Sequence, residues 1–267
     1  MRNAAGGAAA VLAVMLAIPA AAQERDYCST RPSLGQSACV LEAGRFAVET
    51  GLADWERDDA GDMRVDRIAI GDTLVRIGVT DHAELQIGWT PFGTVREADR
   101  AGGTVRRFDR VGDASIGARV ALHNPDGSGF SWGLQPTVTL PVGRTPVGEG
   151  DWGAELVVPA SIDLNDGLQL QFSPSVAAAV DADGHGRHLA YGNIVGLELA
   201  ASDAVHVTLE GAVLRDDDPS GAATQAFTAL AAAFTASDDL QFDVGGVAGL
   251  NADSPDLRLY AGISRRF

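Results

Sequence analysis

The feature that most constrains this chain is a period-two alternation of apolar and polar side chains, which recurs in twelve segments after Ala43. Successive side chains of a strand point to opposite faces, so such alternation predicts two-faced strands rather than amphipathic helices, whose period is 3.6. The segments run at about 44–55, 67–79, 83–95, 110–123, 129–142, 151–163, 167–180, 188–201, 204–215, 223–236, 239–250 and 256–267. In the seventh, Leu168, Leu170, Phe172, Val176 and Ala178 oppose Gln169, Gln171, Ser173, Ser175 and Ala177. Each segment is about as long as the 9–11 residues with which a tilted strand crosses a bilayer. The alanine-rich stretch 225–236 suits a helix equally well by propensity and is read as strand from its neighbours.

The connections alternate too. Thr80-Asp81-His82, Asn124 to Gly127, Leu164-Asn165-Asp166, Ser202-Asp203 and Ser237-Asp238 are short polar turns. Longer loops are expected between them, at 55–66, 96–109, 143–150, 182–187, 216–222 and 251–255. Short turns at one end and long loops at the other predict an all-β fold: a transmembrane, antiparallel, up-and-down β-barrel of about twelve strands. A soluble barrel would point its apolar side chains inward, but twelve strands enclose more space than an apolar lining can fill. Aromatic residues fall in two outward belts, with Phe46, Phe130, Trp132, Phe242 and Phe267 at the turn end and Trp89, Trp152 and Tyr191 at the loop end. Tyr260 breaks this order by facing inward.

The ends agree with export. Arg2, the apolar stretch 8–18 and Ala20-Ala21-Ala22 are laid out as a signal peptide over 1–22. Residues 23–43 are expected to form a periplasmic segment, and 44–267 the outer-membrane barrel. In an exported chain Cys28 and Cys39 read as a disulfide, with no histidine nearby to complete a metal site. The final strand ends on Phe267, an ending suited to the barrel-assembly machinery. Its third residue from the end, Arg265, stands on the apolar face where such endings usually carry a hydrophobic residue.

Glycine makes up 32 of 267 residues and recurs inside apolar segments, which favours strand over helix. The formal charge is −16, and all 20 basic residues are arginine. That balance argues against nucleic acid as a partner. Outer-membrane lipid, lipopolysaccharide and small-molecule solutes are the partners expected, in the outer membrane of a Gram-negative bacterium.

Arg31-Pro32-Ser33-Leu34-Gly35, the run from Leu74 to Leu85, Gly112-Asp113 and Leu140-Pro141-Val142-Gly143 resemble the outer-membrane transporters named for the phenol meta-cleavage (MetA) degradation pathway. The resemblance covers most of the chain after the leader and implies a barrel that admits aromatic or other hydrophobic compounds. Its motifs mark turns and strands, and imply no catalytic residue.

With polar faces inward, Glu84, Arg119, Glu155, Glu198, His206, Glu210, Asp243 and Arg258 are the lumen-lining candidates. An acidic excess in a lumen favours cations or neutral solutes over anions. The opposing reading is that Arg119 pairs with Glu84 or Glu155 and closes the barrel. Asp181 to Gly186 begins like a calcium loop but lacks the closing bidentate acid, and His185 and His188 stand three apart. An ordinary turn is the simpler reading, and neither metal nor cofactor is expected. A barrel hydrolase would need a serine within reach of an oriented base, and no such pattern or G-x-S-x-G elbow is present. The expectation is a non-enzymatic barrel for passive passage of small molecules. The alternatives are a structural or adhesive barrel and, further off, a barrel hydrolase.

Overall fold

The structure, a computed structural model, describes residues 25–267. The expected signal peptide lies outside the described residues. The strand segments are β1 (Phe46–Ala60), β2 (Met63–Ile70), β3 (Asp72–Thr80), β4 (Ala83–Trp89), β5 (Phe92–Asp99), β6 (Thr104–Arg110), β7 (Ala114–His123) and β8 (Phe130–Leu140). They continue with β9 (Gly153–Val157), β10 (Ala160–Asn165), β11 (Leu168–Val180), β12 (Arg187–Ser202), β13 (Val205–Asp216), β14 (Ala223–Ser237), β15 (Leu240–Gly249) and β16 (Leu257–Arg266).

Four pairs of segments are single strands with a break. β2 and β3 are parted by Gly71, whose φ of 75° turns the chain. Pro91 lies between β4 and β5, Gly112 between β6 and β7, and Pro159 between β9 and β10. The sixteen segments therefore make twelve antiparallel strands, closed where β16 pairs with β1 from Arg266 opposite Ala47 to Leu257 opposite Arg57. Closure pairs every strand with a neighbour on each side except in the loop-end segment β6, which bonds to β5 alone. The alanine-rich segment is β14, a strand bonded to neighbours on both sides.

The faces follow the alternation. In β13, Leu209 and Val213 are 54% and 57% exposed, whereas Thr208 and Glu210 between and beside them are each 3% exposed. Apolar side chains thus stand outward and polar ones inward, the orientation that hydrocarbon outside and water inside require. The belt residues are exposed, and Phe46 stacks on Phe267 at 4.8 Å where the last strand meets the first. Arg265 remains on the outer face, with its guanidinium 4.9 Å from the Phe267 ring.

Two expected loops are strand instead. β1 and β2 continue their ladder up to Ala60 and Met63, and β5 and β6 continue to Asp99 and Thr104. Their charged residues look like loop by hydropathy, yet they pair across strands: Arg57 with Asp66, Arg67 with Glu56 and Arg106 with Glu97. Opposite charges on facing strands support a ladder in water.

A plugged lumen as the candidate functional site

Residues 25–43, expected as a periplasmic segment, run through the lumen and bond to its wall. Cys28 and Cys39 are disulfide-bonded and close a loop within this segment. Ala38, Cys39, Val40 and Leu41 are buried. An irregular backbone leaves its amides and carbonyls without ladder partners, so a segment in a lumen must find them on the wall. Here the wall supplies carboxylates, amides and guanidinium groups from most of the circumference.

The anchors can be followed strand by strand. Glu49 on β1 accepts hydrogen bonds from the Thr30 amide at 3.1 Å and from the Tyr27 hydroxyl at 3.2 Å. Glu84 on β4 accepts one from the Leu41 amide at 2.9 Å. Arg76 on β3 lies between these two acids, 2.9 Å from Glu49 and 2.8 Å from Glu84, and donates to the Cys28 carbonyl at 2.6 Å. On β7, Arg119 donates to the Cys39 carbonyl at 3.1 Å and to the side-chain oxygens of Gln36 and Gln135, both at 2.8 Å. Its distance to Glu84 is 3.7 Å. Arg76 and Arg119 are both 0% exposed, so these charges are satisfied by protein alone.

The far wall holds the motif Arg31 to Gly35. Arg31 makes two bonds to Asp243 on β15, at 2.9 and 3.0 Å. Tyr260 on β16 donates its hydroxyl to the Pro32 carbonyl at 2.7 Å, which accounts for the one tyrosine that faces inward. Glu210 on β13 accepts from the Ser33 hydroxyl and from the Leu34 and Gly35 amides at 2.9 and 3.0 Å. Two wall glycines make room. A Cβ on Gly78 would lie 1.9 Å from the Glu42 carbonyl oxygen, and one on Gly262 would lie 2.2 Å from the Arg31 side chain.

The remaining candidates lie on either side of this plug. At the turn end, His206 and Glu198 bond to each other at 3.1 Å and line a cavity of about 350 Å³ together with Tyr27, Arg31 and Gln241. At the loop end, Arg258 pairs with Asp54. Arg258 also borders a second cavity of about 480 Å³, walled on one side by Leu34, Ile194, Leu214, Phe227 and Val247 and on another by Glu56, Asp58 and Arg67. Glu155 stays exposed on β9, on the face it shares with the buried Gly153 and Val157. The structure therefore ties Glu84, Arg119, Glu210 and Asp243 to the plug and leaves Glu155, Glu198, His206 and Arg258 away from it. Arg76, Glu49 and the inward apolar patch escaped the sequence reading. Arg76 had a signal, since it is the one charge within the otherwise apolar run Leu74 to Val79.

The other motifs form a clasp at the loop end. Asp113 accepts from the Gly143 amide at 2.8 Å and the Glu149 amide at 2.7 Å, drawing the 143–150 loop inward until Val147 packs on Gly93. Burial, with Asp113 beside it, pushes the Glu149 carboxyl above its usual range.

A closed antiparallel barrel with an apolar outside and a polar, charged inside is an outer-membrane barrel, here one that carries its own N-terminal segment in the lumen. Its sequence places it further: the chain belongs to the family described as "Putative MetA-pathway of phenol degradation", whose model matches residues 29–267, most of the plug included. Among solved structures the chain is similar to the KdgM porin in complex with disordered oligogalacturonate, with a TM-score of 0.51 and 9% identity over 84% of this chain and 99% of that one. It is also similar to the translocator domain of the autotransporter NalP from Neisseria meningitidis, with a TM-score of 0.51 and 13% identity over 85% and 90% of the two chains. At such identities the likeness is one of fold. No curated protein matches the chain significantly.

Proposed function

We propose that this protein is a passive channel for small molecules with an apolar part, aromatic compounds among them, and that residues 25–43 form the constriction they must pass. The observation that carries this reading is the outer cavity, where an apolar wall of Ile194, Leu214, Phe227 and Val247 stands inside a barrel whose inner face elsewhere carries mostly polar, charged or small side chains. Apolar surface kept in a wet lumen is unfavourable unless something covers it. A solute with a hydrophobic body and a polar end would rest the first on that wall and the second near Glu56, Arg67 or Arg258. Glu155 would line the route at the loop end, and Glu198 and His206 beyond the plug. Flux follows the concentration gradient and needs no cofactor.

A hydrolase has less support. Among the described residues, the two histidines whose ring nitrogens are hydrogen-bonded, His188 and His206, have carboxylate partners rather than a serine hydroxyl. The test is flux into liposomes that hold the intact protein or a variant lacking residues 25–39. Two membrane-impermeant cations of similar size, benzyltrimethylammonium and tetraethylammonium, serve as probes. The intact protein is expected to pass the aromatic cation faster, and the deletion to raise both fluxes and shrink their difference. Liposomes no leakier than protein-free ones, with either form of the protein, overturn the proposal.

A further inference from the structure

Beyond the lumen, the outer loops bring together a group of side chains that passage does not use. Asp181 follows the end of β11, His188 is the second residue of β12, and Asp216 to Asp218 end β13 and begin the next loop. The His188 Nδ1 is 2.9 Å from an Asp181 oxygen and 3.5 Å from an Asp218 oxygen, while Nε2 is 2.7 Å from Asp216. One donor atom from each of Asp181, His188 and Asp218 falls within 4.8 Å of the other two.

We propose that Asp181, His188 and Asp218 bind one divalent transition cation, of which Zn²⁺ is the type, and that Asp216 orients the imidazole from behind. Ligands about 2.0–2.2 Å from a tetrahedral zinc stand about 3.4 Å apart, and the two distances at Nδ1 lie on either side of that value. The ring has the surroundings of a metal ligand, with carboxylates at the coordinating nitrogen and another carboxylate facing the second one. The His188 side chain is only 5% exposed, yet its Nε2 makes no hydrogen bond of proper angle despite the nearby Asp216 oxygen.

The charge count also favours a cation. Three carboxylates surround one imidazole, so the group remains negative whichever form the ring takes. The nearby arginines are engaged elsewhere, Arg215 with Asp217 and Arg187 with Asp151. One nitrogen and a few oxygens suit zinc or manganese, whereas calcium takes six to eight oxygens. The ion would join the 181–186 turn to the 216–222 loop, two residues beyond Leu214 at the rim of the outer cavity. The site stands whether or not solutes use that cavity.

Calorimetric titration of the full-length, tag-free, chelator-treated protein in detergent with Zn²⁺ tests the assignment, with Mn²⁺ and Ca²⁺ titrated in parallel. One Zn²⁺ per chain is expected, bound more tightly than Ca²⁺. His188→Gln and Asp218→Asn are each expected to abolish the binding, and Asp216→Asn to weaken it about 10–100-fold. Heat-modifiable gel mobility confirms that each variant is folded, and Asp181→Asn replaces any that is not. Co²⁺ bound to the protein should give a visible absorption band that His188→Gln removes. Zinc affinity that is unchanged in folded His188→Gln, or no tighter than that for Ca²⁺, overturns the proposal.

Discussion

At the turn end of the lumen, Glu49, Glu84, Glu210 and Asp243 direct their oxygens onto residues 25–43 and the arginines beside them, whereas at the loop end Ile194, Leu214, Phe227 and Val247 border open space. Both regions lie on the inner face of the same strands. The turn end is rigid for an electrostatic reason, because a buried carboxylate or guanidinium that loses its partner has no water to replace it. The loop end has no such constraint, since its apolar wall can meet water or a solute without leaving a charge unpaired. On the function proposed above, closure belongs to one end and selectivity to the other.

Arg76→Ala should break the first region most severely. It leaves Glu49 and Glu84 facing each other without the guanidinium between them and takes the donor from the Cys28 carbonyl. Removing one partner of a buried pair costs about 3–5 kcal/mol. Urea unfolding in detergent should show a loss of that size together with a leaky barrel. A loss below about 1 kcal/mol, the size of an exposed pair, would mean that the cluster is hydrated rather than buried.

Arg31→Ala tests the plug with less damage to the wall. Asp243 loses a two-point partner but keeps its place on β15, and the barrel ladder is untouched. If the two-point contact as a whole is worth about 2 kcal/mol, the value of one charged hydrogen bond, the undocked form of the segment should grow roughly 30-fold. Single-channel records in planar bilayers should show more frequent and longer open events, with unfolding behaviour close to that of the unaltered protein.

The two regions also differ in how far the sequence disclosed them. Alternation in segments such as 167–180 was enough to place twelve strands and the faces of most residues, because the hydrocarbon outside imposes one rule on every strand. The plug had no comparable signature. Its contacts join residues as distant as Arg31 and Asp243, and nothing local in Arg31-Pro32-Ser33-Leu34-Gly35 reveals that Glu210 and Tyr260 wait across the lumen. Tyr260 was the nearest hint, since a residue on the wrong face needs a partner there. Glu84, Arg119, Glu210 and Asp243 could be placed on the inner face, but not bonded to the chain's own N-terminal segment. The charged hairpins at 55–66 and 96–109 resemble loops by hydropathy, which does not register cross-strand ion pairs. The inward apolar patch stays hidden for a related reason: alternation assumes a uniformly polar lumen, and Phe227, Leu214 and Val247 depart from that around the loop-end cavity.

The smallest effect, and the sharpest test of the division, belongs to Phe227→Asn. Phe227 is opposite Ala212 on β13 and Gly249 on β15 and is partly buried against the cluster of Ala229, Ala231, Val247 and Tyr260. Exchanging its ring for an amide removes part of the apolar wall while leaving every plug anchor in place. Half-burying an aromatic ring is worth about 1 kcal/mol, which corresponds to roughly a fivefold change in occupancy. The flux of benzyltrimethylammonium should fall by about that factor relative to tetraethylammonium, while small-ion conductance stays the same. If both cations slow equally, the substitution has moved the constriction itself, and the two ends of the lumen are not separable. If neither slows, the apolar wall is packing surface and selectivity lies at the plug.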